Sequence, residues 1–367
     1  MRKFLFLIFF LTSATKLFAQ TPIKDAMNSF ALYNKSKNFG DLENAKKFID
    51  NSFKTKKDSS SYIKILNKTL IYSALAYTDS TRKLKYVKDP IDETLFNFSK
   101  LKKSKGAGTD PEITFIKKNL SNAFLKRANN YLNSYDYENA FDSFRWVDSL
   151  SSGAMPLVKH NLAVISNKMG YRSRSIGYYE QLIKTDKTAI PDYYLTLAYL
   201  YEQAAAEGKA LEVVQKGKVV FPKNRDLLFK ELNFFVDKGD YKSIVPTIPA
   251  ALELEPDNIN LNYIAASAFD ISEKAEEAEK YYKKVLLLDP NNYDANYSLG
   301  LLYLKLYNDK PEKQLMAGTA GFYLNKAYEI NPNGTNVLKL LAILYRKSGE
   351  TSKLESINRK LKQTTIN

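Results

Sequence analysis

The chain has no cysteine and a single histidine among its 367 residues. The absence of cysteine excludes a disulfide framework, a thiolate metal site, an iron–sulfur cluster and a thiol nucleophile. One histidine cannot form a multi-histidine metal site, and a Ser-His-Asp triad would have to use His160. These absences argue against most familiar enzyme chemistries, so we predict no catalytic residue, no metal and no cofactor.

Long hydrophobic runs are also scarce. The run Phe4–Leu11 is eight residues long, far below the roughly 18–20 residues that a membrane span requires. It follows a basic start and precedes Leu17-Phe18-Ala19, which is the layout of a secretory signal peptide. We therefore predict that residues 1–19 are removed and that Gln20 begins an exported protein, periplasmic or secreted, with no transmembrane segment.

Basic residues are abundant, with 55 Lys and Arg against 40 Asp and Glu, but they are unevenly placed. Residues 20–120 hold 20 basic and 11 acidic residues, whereas residues 121–367 hold 32 and 29. Local clusters occur at Lys54–Lys57 and at Lys100–Lys105. Two interpretations remain open, namely solvated loop lysines or attachment to an anionic surface such as lipid head groups or acidic glycans. Nucleic acid is not expected as a partner of an exported protein.

A repeat of 34 residues runs through the second half of the chain. Pro222, Pro256 and Pro290 are 34 residues apart, and each follows an apolar, helix-like segment. Proline ends a helix and suits the first turn of the next, so this spacing predicts helix boundaries. Between the prolines, small and large apolar residues at helical spacing predict two amphipathic helices in each unit.

The units share a pattern, seen in Leu197-Ala198-x-x-Tyr201, Leu299-Gly300-x-x-Tyr303 and Leu341-Ala342-x-x-Tyr345. The first two units continue to Ala210 and Pro222 and to Ala320 and Pro332, and the last continues to Gly349 at its turn. This pattern resembles the tetratricopeptide repeat (TPR) family, in an exported bacterial form. The resemblance implies an all-α fold, a right-handed α-solenoid of stacked antiparallel helix hairpins. We predict degenerate or capping helical hairpins over residues 20–120 and an array of about seven repeats over residues 121–367.

In this family the first helix of each hairpin lines a concave groove. The resemblance places Phe229, Tyr263 and Tyr297 there as an aromatic strip, and asparagine amides beside them could bond a peptide backbone. Such rings could instead pack between neighbouring repeats. Trp146, between core-type positions on a second helix, is predicted to be buried. The full set of predicted groove residues is Asn129, His160, Asn167, Tyr199, Phe229, Asn233, Tyr263 and Tyr297.

These observations favour a non-enzymatic scaffold or assembly factor of the cell envelope, which binds a partner peptide or loop in its groove. The alternative is a carbohydrate-binding or uptake-associated repeat protein, because aromatic rings also stack on sugars.

Overall fold

A computed structural model describes residues 22–102, 110–185, 189–309 and 314–366. Over these ranges the chain forms eighteen α-helices and no β-strand, which confirms the all-α prediction. Within each compact part of the chain the helices pair into antiparallel hairpins that stack on their neighbours, as predicted for a helical solenoid. The predicted signal peptide and residues 103–105 of the second lysine cluster lie outside the described residues.

The described residues fall into two compact units, which meet in sequence at residues 188 and 189. This division does not coincide with the predicted domain boundary at residue 120, which stays a prediction. The first unit contains four hairpins. Its helices are Pro22–Ser36 (α1), Phe39–Asn51 (α2), Tyr62–Thr78 (α3), Pro90–Lys102 (α4), Pro111–Asn133 (α5), Tyr137–Leu150 (α6), Pro156–Lys168 (α7) and Arg172–Thr185 (α8).

The second unit contains five hairpins built in the same way. Its helices are Pro191–Glu202 (α9), Glu207–Val220 (α10), Arg225–Asp237 (α11), Ile248–Leu254 (α12), Ile259–Ile271 (α13), Ala275–Leu288 (α14), Tyr293–Asp309 (α15), Gln314–Ile330 (α16), Thr335–Ser348 (α17) and Thr351–Ile366 (α18).

Short turns inside the hairpins share one backbone device. In the α9–α10 turn Ala205 has φ 56°, and in the α13–α14 turn Glu273 has φ 59°, both in the left-handed region. The next N–H then reaches back to the first helix, as in the 2.9 Å bond from Lys274 N to Phe269 O. This arrangement satisfies a carbonyl at the helix end and reverses the chain within a few residues.

The proline register marks the boundaries between hairpins, although the prolines do not start the helices. Pro256 lies in a loop, and Asn258 two residues later caps α13 by accepting a 3.0 Å bond from Leu261 N. The same Pro-x-Asn order precedes α11, where Asn224 accepts from Leu227 N at 3.0 Å. The asparagine carboxamides satisfy backbone donors that the first turn leaves open.

The α3–α4 hairpin is irregular. Nine of the seventeen residues of α3 are buried, so this helix is apolar on almost every side. It packs against α2, α4 and α5, and it is α3 rather than α4 that makes the main contact with α5. A helix with apolar residues all round requires such enclosure. This hairpin lies outside the register of the later repeats, and its first helix is enclosed by three neighbours.

The hairpin that starts with α11 has a broken second helix. Tyr241–Ile244 forms a short 3₁₀ turn, and the α-helical path resumes only at α12, after Pro246. A continuous pair of helices was expected in this unit, and that expectation is wrong because proline cannot donate the backbone hydrogen bond that a helix interior needs.

The break places Thr247 beside a buried ion pair. Lys218 on α10 pairs with Glu231 on α11, whose side chain is almost fully enclosed. The Thr247 hydroxyl donates a 2.5 Å hydrogen bond to the same Glu231 oxygen. A buried carboxylate needs such partners to offset its lost hydration. The broken helix therefore supplies part of the bonding that keeps Glu231 in the interior.

Trp146 is not buried, contrary to the prediction. It is 44% exposed and stacks on Phe124 of α5, with ring centroids 5.4 Å apart and 8° between the planes. On α6 the fully buried positions are Ala140, Phe144 and Val147, spaced by four and three residues. Trp146 is one residue from that stripe, and about 100° per residue turns it toward the edge of the helix.

Candidate partner-binding surface

In the second unit, first helices of successive hairpins are joined directly by polar contacts. Lys230 on α11 pairs with Glu202 on α9 at 2.8 Å. Farther along, Lys305 on α15 pairs with Asp270 on α13 at 3.1 Å. These contacts place α9 beside α11 and α13 beside α15, so each pair of first helices presents a shared face. We call these two shared faces the first-helix surface.

The three predicted strip aromatics lie on this surface, but they are half-buried and pack against the core. Arg225 covers Phe229, with its guanidinium carbon 4.6 Å from the ring centroid. Tyr297 is stacked on Tyr293 of the same helix, with centroids 6.0 Å apart. Part of the ring surface of Phe229 and of Tyr297 is therefore covered by neighbouring side chains of the protein.

Tyr263 links two hairpins. Its ring lies 5.8 Å from that of Tyr282, and its hydroxyl is 3.3 Å from the Ser298 hydroxyl on α15. Within the described residues, no stacked or edge-on ring pair joins two members of the strip. The geometry favours the packing interpretation for part of each ring, and each residue remains partly accessible.

Tyr199 and Asn233 are the more accessible predicted residues in this unit. Tyr199 on α9 is 52% exposed, and Asn233 on α11 is exposed as well. Tyr199 precedes Glu202 by three positions, and Asn233 follows Lys230 by three, so each shares a helix face with one partner of the α9–α11 ion pair. The two predicted residues therefore flank the line along which the helices meet.

Asn233 also lines a pocket of about 570 Å³, which sequence reasoning did not find. Lys230 and Lys238 pair with Glu202 and Glu207, respectively. The remaining lining carboxylate, Asp237, has no ion pair within the described residues. The pocket is lined by Glu202, Glu207, Lys230, Asn233, Phe234, Asp237 and Lys238.

This composition offers specific interactions to a ligand. The Asn233 amide supplies a donor and an acceptor, and Asp237 supplies a carboxylate suited to a cation. The spacing of Phe234 and Asp237 on α11 and of Lys238 directly after it could have indicated a common face. The contact between Glu207 and Lys238 could not be predicted from that spacing, because it depends on the direction that α10 takes after the α9–α10 turn.

In the first unit the predicted residues are dispersed. Asn129 on α5 and Asn167 on α7 are exposed, while His160 on α7 is half-buried. His160 Nδ1 is 3.3 Å from the hydroxyl of Tyr179, a buried residue of α8. His160 thus bridges the two helices of its hairpin.

A polar network in the first unit also escaped prediction. Tyr72 on α3 donates a 2.8 Å hydrogen bond to Asp50, which pairs with Lys46 at 3.0 Å. Burial, together with the nearby Asp50 carboxylate, raises the pKa of Tyr72 far above its ordinary value, so the hydroxyl remains a donor. Lys68 on α3 pairs with Glu93 on α4 at 2.7 Å. Several lysines of residues 20–120, which we call the basic third, therefore form internal ion pairs.

Neither a metal-binding cluster nor a membrane-spanning helix occurs in the part of the chain that the structure describes. The described residues contain no group of three or more His, Cys, Asp or Glu side chains placed to hold a metal ion. Among the described helices, none combines the length and the apolar character needed to cross a bilayer.

The fold and one sequence match define the class, a protein of repeated helical hairpins. Residues 259–292 match the family model described as tetratricopeptide repeat, and this segment includes α13 and α14. The chain therefore contains a tetratricopeptide repeat in the middle of its second unit.

Among curated proteins, the chain is similar to anaphase-promoting complex subunit 3 of Schizosaccharomyces pombe. The two are 24% identical over 122 residues, which is 33% of this chain and 17% of that protein. The chain therefore matches about a sixth of the length of this relative.

Among solved structures, the chain is similar to the C-terminal part of a TPR repeat-containing protein from Cytophaga hutchinsonii. The identity is 15%, the coverage is 65% of this chain and 93% of that one, and the TM-score is 0.43. It is also similar to YrrB, described as a TPR protein with an unusual peptide-binding site. That comparison gives 20% identity, coverage of 55% and 98%, and a TM-score of 0.40.

Proposed function

We propose that this protein is a non-enzymatic interaction scaffold of the cell envelope, which holds a peptide or loop of a partner protein on its first-helix surface. The observation that carries the proposal is the α9–α11 face, where exposed Tyr199 lies on one helix and Asn233 opens into a pocket on the other. The tetratricopeptide match over residues 259–292 supports a stack of hairpins as the underlying plan.

The pocket favours an extended peptide that carries a basic residue. Asn233 can bond both a carbonyl and an N–H of a peptide backbone, and Asp237 can accept a charged hydrogen bond from Lys or Arg. The exposed Tyr199 ring adds a large contact area at a small entropic cost. A partner segment of this chemistry uses all three groups together.

An array of synthetic peptides tests the proposal. The double variant Tyr199→Ala/Asn233→Ala should reduce binding to the best peptides about tenfold or more, because it removes an exposed ring and a bidentate amide. The matched control Val219→Ala/Leu287→Ala changes two comparably exposed residues on second helices and should bind as wild type does. Equal binding by both double variants would contradict the assignment, and binding to a glycan array in place of peptides would favour the carbohydrate alternative.

We further propose that the basic third of the chain attaches the protein to an anionic surface. The net excess of nine basic residues over residues 20–120 supports this attachment. Lys54, Lys56 and Lys57 are all exposed and available for it. Binding of this kind weakens as salt rises, since the screening length falls to about 8 Å at physiological ionic strength.

A further inference from the structure

The loop between α3 and α4 is longer than a hairpin requires. It spans residues 79–89, whereas most described turns within hairpins have two to four residues between their helices; the other long connection, residues 238–247 between α11 and α12, contains the 3₁₀ turn. Val87, near the end of the loop, has its side chain fully exposed to solvent. Reversal of the chain between two helices does not require a fully exposed apolar side chain, so Val87 calls for another explanation.

This loop is held in one conformation by buried polar contacts. The carboxylate of Asp79 is buried and accepts hydrogen bonds from Lys83 N at 2.8 Å, from Leu84 N at 3.1 Å and from the Tyr86 hydroxyl at 2.7 Å. Arg82, with φ 56°, donates from Nε to Asp89 at 2.7 Å. Val87 is therefore displayed by an ordered scaffold rather than by a loose segment.

Phe96 on α4 is a second exposed apolar side chain of this hairpin, and lysines lie against it. Its ring is 50% exposed, and the ammonium groups of Lys88 and Lys100 lie 4.7 and 4.1 Å from the ring centroid. Lys88 directly follows Val87, so it connects the loop to this ring. Lysines that lie along an apolar surface keep their charge at its edge.

Basic side chains outnumber exposed carboxylates at this end of the hairpin, although Asp92, one turn before Phe96 on α4, is exposed and has no ion pair within the described residues. The carboxylates of Asp79 and Asp89 are engaged within the loop, and Glu93 pairs with Lys68 of α3. Lys83 and Lys85 are exposed and have no ion pair within the described residues. The apolar centre and its rim, which we call the loop-tip patch, consist of Val87, Phe96, Lys83, Lys85, Lys88 and Lys100.

We propose that the loop-tip patch binds the surface of an anionic phospholipid bilayer, with Val87 and Phe96 in the interfacial layer and the four lysines at the lipid phosphates. The inference rests on the proposed attachment of the basic third to an anionic surface, and it names the site and the lipid. A soluble polyanion would satisfy the lysines but leave Val87 and Phe96 in water. A bilayer satisfies both parts of the patch.

Vesicle co-sedimentation of the exported protein, which begins at Gln20, tests the site. Wild type should bind vesicles that contain phosphatidylglycerol and should not bind vesicles of phosphatidylcholine alone. Val87→Asp/Phe96→Ser should weaken binding at least about tenfold, because it removes the apolar contact and adds a negative charge. Lys83→Gln/Lys85→Gln should weaken binding about fivefold for each lysine. The control Leu157→Ser, at a 67% exposed residue of α7, should bind as wild type does.

The single tryptophan allows a direct test of insertion. In the double variant Trp146→Phe/Val87→Trp the only indole is at the tip of the loop, and circular dichroism checks that the fold is kept. Phosphatidylglycerol vesicles should shift its emission to shorter wavelength, and lipids brominated on the acyl chains should quench it. Vesicle binding without shift or quenching would overturn insertion by this loop.

The outcomes separate this inference from the broader attachment. If wild type and Val87→Asp/Phe96→Ser bind the anionic vesicles equally well in a salt-dependent manner, the loop-tip patch is not the site, although the basic third still attaches to the surface. If wild type binds heparin but no vesicle, the lipid assignment is wrong and a soluble polyanion replaces it. If no anionic probe binds, both proposals fail.

Discussion

At the scale of single residues, the hairpin turns show how the repeat tolerates imperfect sequences. Glycine occupies the left-handed position in some turns, as at Gly239 and Gly349, but Tyr135, Ala205 and Glu273 adopt the same conformation elsewhere. For a residue with a side chain, the left-handed conformation is about 1–2 kcal/mol less stable than the right-handed one, because Cβ approaches the following carbonyl. The packing of the two helices fixes the turn, so the sequence need not supply glycine every time.

This strain can be measured in the α9–α10 turn, which contains three successive alanines. Ala205→Gly should raise the free energy of unfolding by about 0.5–1 kcal/mol, since the relieved strain exceeds the added flexibility of glycine in the unfolded chain. Ala204 and Ala206 lie outside the left-handed region. Ala204→Gly is the matched control and should leave the free energy of unfolding unchanged or lower it. Chemical denaturation monitored by helical circular dichroism measures both, and equal effects would refute the argument.

At the scale of helices, the close approach of α15 and α16 depends on a missing side chain. A Cβ placed on Gly300 of α15 would lie 2.7 Å from Cγ and 3.1 Å from the backbone N of Leu324 on α16. The Gly300 position thus sets how near the two helices pack. A Cβ placed on Gly318 of α16 would meet no described atom within 4 Å, so that position is free of this constraint.

The pair provides a prediction with an internal control. Gly300→Ala should lower the free energy of unfolding by about 1–3 kcal/mol, because the methyl group forces α15 and α16 apart. Gly318→Ala should raise it by up to about 1 kcal/mol, since alanine is the better helix former and nothing obstructs it. Thermal or chemical unfolding of both variants measures the difference in sign. A stabilising Gly300→Ala would show that the helices can separate at no cost.

The sequence predicted the helices and their boundaries better than it predicted which side chains are accessible. Pro222 and its repeats predicted hairpin boundaries correctly, because a residue without an N–H limits where helices can run. The break at Pro246 was missed, since one more proline in a regular unit carries no periodic signal. Register placed Tyr263 on a first helix, but its contact with Ser298 depends on how hairpins stack, and a single sequence does not give that spacing.

At the scale of the whole molecule, some basic side chains form ion pairs within the fold and others are exposed to solvent. Lys46 and Lys68 are paired in the first unit, so part of the basic excess there stabilises the fold. Lys83 and Lys85 face solvent. The positive charge available to a partner is thus concentrated at particular sites, and the total charge of the chain is a poor guide to what it binds.

Export gives a prediction for the whole chain. When the full-length gene is expressed in a bacterial host with a secretory pathway, the product should be recovered outside the cytoplasm and begin at Gln20, because a signal peptidase cuts after a small residue such as Ala19. The mass of the intact purified protein measures the cut. A mass that retains Met1 on protein recovered from the cytoplasm would contradict the proposed localisation.

The left-handed turns at Gly239 and Glu273 are 34 residues apart and have the same backbone form. Removing residues 240–273 would join Gly239 directly to Lys274, so α11 would be followed by α14 through a turn of unchanged geometry. Recombination at these points alters length by one complete hairpin and leaves every remaining turn intact. Partner-binding faces can therefore be gained or lost during evolution one whole hairpin at a time. No intermediate chain would have helices displaced from the repeat register.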